Sequence, residues 1–224
     1  SHGDSNTASN PLLIPKPCGA KRWCGDYRHL NSMSDLSAYT LPDVLRNLNR
    51  VIGCWFTAID LLAGFHQVLL DEPSRKYTAF NTPIGMLLWN RLPFGWCGSP
   101  AFFSKLGLRV FDGLPAEMCK LFVDDVLTSS PDFETHVEDL DKVFTRCGEA
   151  RLVVKAKKVY FAWPELQYLG FLVSGQGRRP NPERIKPVLD WTIEGLLERP
   201  AVNIPRWLGM LGQYRDHIPH YTFL

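Results

Sequence analysis

Two adjacent carboxylates, Asp124 and Asp125, interrupt an apolar run in the stretch LFVDDVLTSS. The β-branched and alternating residues on either side read as two short strands. A turn between strands is ordinarily supplied by Gly or Asn, not by two acids. Neighbouring carboxylates repel each other and resist burial unless something positive lies between them. Two explanations stand: a solvated turn, where Asp is common, or a metal site. A third acid bears on the choice. Asp60 ends the apolar stretch FTAID, where an unpaired carboxylate is costly. If that stretch lies beside the Asp124–Asp125 hairpin, three carboxylates converge on one sheet edge and divalent cations relieve their repulsion. Mg²⁺ favours such oxygen ligands and keeps positions open for water and phosphate oxygens. Two ions about 3.5 to 4 Å apart can activate a 3′-hydroxyl and stabilise a departing pyrophosphate. The chemistry implied is phosphoryl transfer, in which positioning and charge neutralisation supply most of the catalysis.

The elements that must position these acids are mixed. LLIP and the stretch through Trp23 and Tyr27 read as an edge hairpin with basic residues around its tip, and LPDVLRNLNRV as an amphipathic helix with Val44, Leu45, Leu48 and Val51 on one face. CWFTAID begins as a buried strand, and the region from Asp71 to Gly95 reads as strand, turn, strand. SPAFFSKLGLRVF has Ser99 as N-cap and Pro100 in the first turn of a helix. DFETHVEDLDKVFTRCGEARL is a second long helix, ended by Gly148. ELQYLGFLVSGQGRRPNP reads as a hairpin around Gly175 and Gly177, and two short helices close the chain. Strands and helices alternate without a βαβ rhythm, so the class is α+β with a largely antiparallel sheet.

Composition narrows the function without naming it. A hydrophobic content of 45% in 224 residues supplies a core, which excludes a disordered chain. The net charge of +2 does not announce a nucleic-acid binder, so any basic surface must come from local clustering. Six cysteines without a C-x-x-C pair fit reduced thiols in an intracellular protein rather than a zinc knuckle. The polar N-terminal segment lacks a signal-peptide core, and no apolar run approaches the ~20 residues that cross a bilayer.

Seven blocks in order carry a resemblance: KRWCGDYRHLN, FTAIDLLAGFHQVLL, RLPFGWCGSPAFF, LFVDDVLTSS, LVVKAKKVYF, LQYLGFLVSGQGRRPNPERI and WLGMLGQYRDHIP. In order and approximate spacing they resemble the reverse transcriptases of gypsy-type LTR retrotransposons, relatives of the retroviral enzymes. The resemblance implies an α+β right-hand polymerase fold of fingers, palm and partial thumb, with an antiparallel palm sheet packed on helices. Residues 1–11 would be a flexible lead-in, 12–48 part of the fingers, 49–175 the palm with a fingers insertion at about 72–95, and 176–224 the palm end and the start of the thumb. It implies RNA-directed DNA polymerase activity with two Mg²⁺ ions, for which Mn²⁺ can substitute. The implied partners are deoxynucleoside triphosphates and a primed RNA or DNA template, with RNase H and integrase domains beside this one in a polyprotein. No membrane partner is implied, and the implied setting is intracellular and cytoplasmic, associated with particles. The chain would then be a truncated piece of the polyprotein.

Residue by residue, the resemblance makes Asp60, Asp124 and Asp125 the metal-binding catalytic triad, with Asp60 and Asp124 the stronger ligands. Phe65 matches the bulky residue beneath the nucleotide sugar, where an aromatic ring would collide with a 2′-hydroxyl. Arg22 matches the fingers arginine that contacts the triphosphate, a task suited to a guanidinium, and Lys16 its companion lysine. Phe94 and Gly95 belong to the block lining the nucleotide pocket, and Phe94 stands where retroviral enzymes usually have Gln. Lys158 matches the lysine that acts as general acid towards pyrophosphate. Phe122 departs from the commoner Tyr beside the acidic pair, and Phe122 and Val123 would touch primer or template. Tyr168, Leu169 and Gly170 resemble the primer-grip hairpin, while His66 and Gln67 read as structural. Arg178, Arg179, Arg184, Lys186, Arg206 and Arg215 form a basic cluster that could track duplex phosphates. The competing reading is a catalytically silent nucleic-acid-binding or assembly module descended from such an enzyme.

Overall fold

The computed structural model describes residues 5–15, 19–35 and 53–221. The helix expected over Pro42–Val51 and the side chain of Lys16 lie outside these residues. Strands β1 (Pro11–Pro15) and β2 (Lys21–Gly25) form the expected antiparallel hairpin, with Leu13 opposite Trp23. A short helix not foreseen in the sequence, α1 (Arg28–Met33), follows. Its N-cap residue Tyr27 is fully buried and donates its hydroxyl to the Thr78 carbonyl at 3.0 Å. Residues 5–10, expected as a loose lead-in, are tied down: Ser9 donates to and accepts from the backbone of Ala79 and Asn81, and Asp26 donates to the Asn10 carbonyl.

Strand β3 (Trp55–Asp60) leads into a 3-10 turn, Gly64–Gln67, and a helical turn, α2 (Glu72–Arg75). A small hairpin of β4 (Phe80–Thr82) and β5 (Gly85–Leu87) precedes α3 (Ser99–Val110). The cap of α3 is Gly98 rather than Ser99, because the Ser99 hydroxyl is spent on the buried Pro93 carbonyl at 2.7 Å. Next come β6 (Cys119–Phe122), β7 (Asp125–Ser130) and α4 (Phe133–Glu149), whose cap Asp132 accepts from the Thr135 N–H. Gly148 does not end α4. The left-handed closing position falls instead on Arg151, at φ +55°, with Arg151 and Leu152 donating to Gly148 and Cys147 carbonyls. Cys147 and Leu152 share one hydrophobic cluster, the contact that accompanies this kind of helix end and holds an Arg where Gly is usual.

Strand β8 (Tyr160–Trp163) was not legible as a strand, and β9 (Glu165–Tyr168), β10 (Phe171–Ser174) and β11 (Gly177–Pro180) form a three-stranded meander rather than one hairpin. The chain ends in three helices where two were expected: α5 (Pro182–Leu189), α6 (Ile193–Glu198) and α7 (Pro200–Gly212). Thr192 caps α6 through its hydroxyl, and Pro200 restarts the chain as α7, so the segment splits.

The central sheet runs β6-β7-β3-β8, and its pleat sorts side chains onto two faces. Phe56, Ala58 and Leu127 pack with Leu166, Tyr168, Phe171 and Val173 of the meander. Ile59, Leu61 and Val126 pack on the other face with Phe103 of α3 and Val143 and Cys147 of α4. Fully burying such a side chain contributes roughly 1.5–3 kcal/mol. Among the described residues, no helix is long and apolar enough to cross a membrane.

A buried polar chain pins α4 to this sheet. The Ala162 N–H donates to Thr57 Oγ1 at 3.0 Å, which lies 2.7 Å from His136 Nε2; His136 Nδ1 lies 3.0 Å from Ser130 Oγ, and Ser130 donates to Asp139 Oδ2 at 2.8 Å. Lys142 caps the chain by donating to Asp139 Oδ1 at 3.0 Å. With Ser130 donating to Asp139, its oxygen receives from Nδ1–H, and in the neutral imidazole Nε2 accepts from the Thr57 hydroxyl. Burial lowers the His136 pKa against the pull of Asp139. An imidazole held neutral contributes stability above the unfolded value near 6.5 that is lost as pH falls through the folded value. His136→Gln is therefore expected to cost about 1–3 kcal/mol at pH 7.5 and less at pH 5.5, read as the shift in urea midpoint at each pH.

Candidate active site

Strand β3 pairs antiparallel with β7 in a register that sets Asp60 directly opposite Asp125. Strand β6 joins β7 through a two-residue turn, Val123–Asp124, with Phe122 opposite Asp125. Val123 sits at φ +54°, a conformation a β-branched residue rarely takes. Pairing on both sides of the turn holds that strain in place. Each acid is then fixed by a different neighbour. The Leu61 N–H donates to the Asp124 carbonyl at 3.0 Å, and the Tyr168 hydroxyl donates to the Asp125 carbonyl at 3.0 Å. Gly64 packs so closely that a Cβ there would lie 3.1 Å from Cβ of Asp124 and 3.0 Å from the Phe103 ring.

Asp60, Asp125 and Lys158 open onto a cleft of about 390 Å³, with Tyr160, the Leu169–Gly170 turn and Arg184 on its other walls. Lys158 Nζ lies 2.6 Å from Asp60 Oδ2, and the Lys155 N–H donates to the Asp60 carbonyl at 2.9 Å. The hydrogen bond to Asp60 raises the Lys158 pKa, so the ammonium is retained. Among the described residues Asp125 lacks such a partner: burial first, then the charges of Asp124 and Asp60, push its carboxyl up to about 6 against the pull of Lys158. Asp124 is raised by burial and by Asp60, with Arg22 and Lys158 pulling the other way. Among the described residues, no three acidic, His or Cys side chains are gathered tightly enough to clasp an ion as they stand. The donor chemistry nevertheless suits Mg²⁺ or Mn²⁺: three carboxylates with no sulfur or imidazole, and like-charge stress that a cation would relieve. Lys158 is the positive charge that meets Asp60 in the meantime.

Beside the acids runs a row of rings. Arg22 on β2 lies over the Phe94 ring at 5.0 Å, Phe94 is 5.0 Å from Phe65, and Phe65 meets Phe103 edge-on at 5.9 Å. Phe65 is half-buried in the 3-10 turn just after β3, entered through Ala63 at φ +48°. Gly95 sits at φ +102°, where a Cβ would lie 2.3 Å from the Gly25 carbonyl oxygen. Only glycine fits there. Asn31 was missed in the sequence: its amide donates to the Gly95 carbonyl and its Oδ1 accepts from the Cys97 N–H, bracketing the loop. An Asn on the short helix α1 offers no sequence signal for that role. Gln67 bonds the Leu62 and Val153 carbonyls and the Val153 N–H, and His66 stacks on Trp89, both structural contacts.

Phe122 and Val123 are half-buried in the β6–β7 hairpin. Tyr168 is buried, so what it offers the site is its hydroxyl beneath Asp125 rather than an exposed ring. Leu169 and Gly170 make the β9–β10 turn at φ +49° and +89°, steadied by Gln213, whose Nε2 donates to the Leu169 carbonyl at 3.2 Å. The expected basic cluster is largely neutralised: Arg178 pairs with Asp216, Arg179 with Glu165, Lys186 with Asp190, and Arg215 approaches Asp216 at 3.8 Å.

Residues 14–173 match the family described as reverse transcriptase (RNA-dependent DNA polymerase). The chain belongs to that family. Among curated relatives it is 33% identical to the retrovirus-related Pol polyprotein of transposon 297 from Drosophila melanogaster, over 88% of this chain and 18% of the relative. It is 30% identical to that of transposon opus, over 97% and 22%, and 29% identical to that of transposon gypsy, over 90% and 19%. The chain thus spans about a fifth of the length of these relatives. Among solved structures, the dRH form of the foamy viral protease–reverse transcriptase in complex with double-stranded DNA superposes with a TM-score of 0.85 at 26% identity, over 98% of this chain and 38% of that one. Its complex with an RNA/DNA hybrid superposes at 0.79 with 26% identity, over 95% and 28%. The fold is therefore the mixed helix and antiparallel-sheet fold of these polymerases.

The raised Asp125 carboxyl has a consequence for the metal-free protein. A folded pKa near 6, above the unfolded value, means stability present at low pH that is lost as pH rises through 6. Asp125→Asn is expected to raise metal-free stability by about 1–2 kcal/mol at pH 7.5 and by much less at pH 4, measured by chemical denaturation in EDTA.

Proposed function

We propose that this chain is the polymerase part of an RNA-directed DNA polymerase, extending a primer with deoxynucleoside triphosphates on an RNA or DNA template. The observation that carries the reading is the register that sets Asp60 opposite Asp125 with Asp124 in the adjoining turn, inside the region matched to the family. In this reading residues 12–48 and the insertion at about 72–95 serve as fingers, 49–175 as palm, and 176–224 as palm end and thumb start. Asp60 and Asp124, supported by Asp125, hold two Mg²⁺ or Mn²⁺ ions. When bound, those ions supply charge neutralisation at the primer hydroxyl and the departing pyrophosphate.

The chain's own groups do the rest. Arg22 faces triphosphate oxygens from the fingers hairpin, its guanidinium kept in place over Phe94. Phe65, wedged between Phe94 and Phe103, presents a ring that cannot yield to a 2′-hydroxyl. The backbone at Phe94 and Gly95 approaches the nucleotide, which the glycine permits. Lys158 keeps a proton beside Asp60 and can pass it to the leaving pyrophosphate. Phe122, Val123 and the Leu169–Gly170 turn flank the primer end, and Tyr168 steadies the acids from below. The foamy viral structures are complexes with double-stranded DNA and with an RNA/DNA hybrid, which supports a duplex partner here. RNase H and integrase domains in a longer polyprotein, and a cytoplasmic setting, belong to the same proposal.

Primer extension on poly(rA)–oligo(dT) with dTTP and Mg²⁺ or Mn²⁺ tests it. The protein is expected to extend, and Asp124→Asn, Asp125→Asn to lose about 10³-fold or more of that activity. No extension by the unaltered protein, with hybrid binding intact, would instead mark a silent binding module. Phe65→Val is expected to lower the preference for dTTP over UTP by at least about tenfold in kcat/KM with little change for dTTP itself, checked in the same assay.

A further inference from the structure

Gln67 is the last residue of the 3-10 turn that carries Phe65, and its side-chain amide is spent entirely on main chain. Nε2 donates to the Leu62 carbonyl at 2.8 Å and to the Val153 carbonyl at 3.0 Å, while Oε1 accepts from the Val153 N–H at 2.7 Å. Leu62 follows shortly after Asp60, and Val153 lies on the strap that leads from α4 to Lys158 and β8. One side chain therefore joins the segment bearing the ring of Phe65 to the segment bearing the ammonium on Asp60.

Main-chain pairing past the end of β3 is sparse. An isolated bridge joins Leu61 and Val154, the Leu62 N–H donates to the Val153 carbonyl at 2.8 Å, and the Lys155 N–H donates to the Asp60 carbonyl at 2.9 Å. Leu152, Val154 and Val159 pack against the cluster of α3 and α4, which sets the height of the strap on the core. Val153 is 52% exposed, so packing does not hold its peptide. Among the described residues, the Val153 N–H has Gln67 Oε1 as its partner. From there the chain runs through Lys155 into the 3-10 turn Ala156–Lys158, where the Lys158 N–H donates to the Lys155 carbonyl at 2.8 Å and Nζ reaches Asp60 at 2.6 Å. At the other end of the clamp, Arg91 Nη1 donates to the His66 carbonyl at 3.1 Å and to the Gln67 carbonyl at 3.2 Å. The amide thus ties the strap to a turn that is itself held.

This set of bonds needs two donors and an acceptor on one planar group, which an amide supplies. A carboxylate in its place accepts and cannot donate, and the Met thioether, of similar length, is at best a weak acceptor. We infer that Gln67 is a positioning residue that fixes Phe65 and Lys158 at one spacing across Asp60, so that sugar selection and the approach of the Lys158 ammonium to the leaving pyrophosphate depend on a single side chain. This rests on the polymerase reading above. A shift of about 1 Å in either group is enough to slow a reaction that relies on alignment.

The test is single-turnover extension of poly(rA)–oligo(dT) with dTTP or UTP by the unaltered protein, Gln67→Met, Gln67→Glu, Lys158→Gln and Phe65→Val, and by Gln67→Met combined with each of the last two. Gln67→Met is expected to lower the maximal rate with dTTP about tenfold, with little change in the dTTP concentration at half-maximal rate, and to lower the preference for dTTP over UTP several-fold. In the combined variants the losses should not multiply: adding Gln67→Met should change the rate of Lys158→Gln, and the preference of Phe65→Val, by less than about twofold. Multiplied losses, or a preference untouched by Gln67→Met, would overturn the assignment and leave the polymerase reading in place, since a general loosening of the fold acts independently of Lys158 and Phe65. Gln67→Glu keeps the acceptor for the Val153 N–H and loses both donations, so it should show the same two losses and decides the matter if thermal unfolding finds Gln67→Met unfolded. Unaltered rate and preference in Gln67→Glu would overturn the assignment as well. No extension by the unaltered protein would overturn both readings.

Discussion

The site depends on one strand register. Asp60 and Asp125 face each other because Ala58 faces Leu127 and Ile59 faces Val126, and those buried pairs fix the alignment. A slip of one residue would turn Ile59 and Val126 towards the meander and the acids into the helix-covered face. Apolar burial along the strands therefore forces together two like charges that would separate on their own. The acids lie where the pair ends, beyond the part covered by the meander, so they reach solvent in a cleft while their backbones stay locked.

That arrangement sets stability against chemistry. The turn stores strain at Val123, and burial and mutual repulsion raise the Asp124 and Asp125 carboxyls. The surrounding contacts offset this locally: Leu61 and Tyr168 hold the two carbonyls, and Lys158 neutralises Asp60. On the reverse face, the chain from Thr57 through His136 and Ser130 to Asp139 locks α4 against β3 and β7. The sheet cannot shift to relax the carboxylates without breaking buried hydrogen bonds, each costly to leave unmade. The acids are thus held together instead of being dispersed.

The side of the site that bears Phe65 is organised chiefly by ring contacts. Arg22, Phe94, Phe65 and Phe103 form a continuous row from the outer hairpin to the core helix α3. Asn31 and the glycine at position 95 bind the same loop to the first hairpin. Residues far apart in the chain therefore meet beside the acids, whose cleft is walled by the central sheet, the β9–β10 turn and α5.

Much of this was legible in the chain itself. Period-two apolar patterning marks β3, β6 and β7, helical spacing marks α3 and α4, and the types and order of the acids point to phosphoryl transfer. These are local signals, set by backbone periodicity and side-chain polarity. What the sequence could not disclose were features that depend on partners distant in the chain. Strand β8 forms only because β3 offers it an edge, and Arg151 replaces Gly148 at the end of α4 because Leu152 is pulled into the core. Tyr168 resembles part of a primer-grip hairpin but is buried with its hydroxyl on the Asp125 carbonyl, and a cluster of basic residues reads as a phosphate track until ion pairs with Asp216, Glu165 and Asp190 engage most of it. Which charge is engaged and which remains available is a matter of distance in space, because Coulomb energy and hydrogen bonding act between neighbours of the folded chain whatever their separation along it.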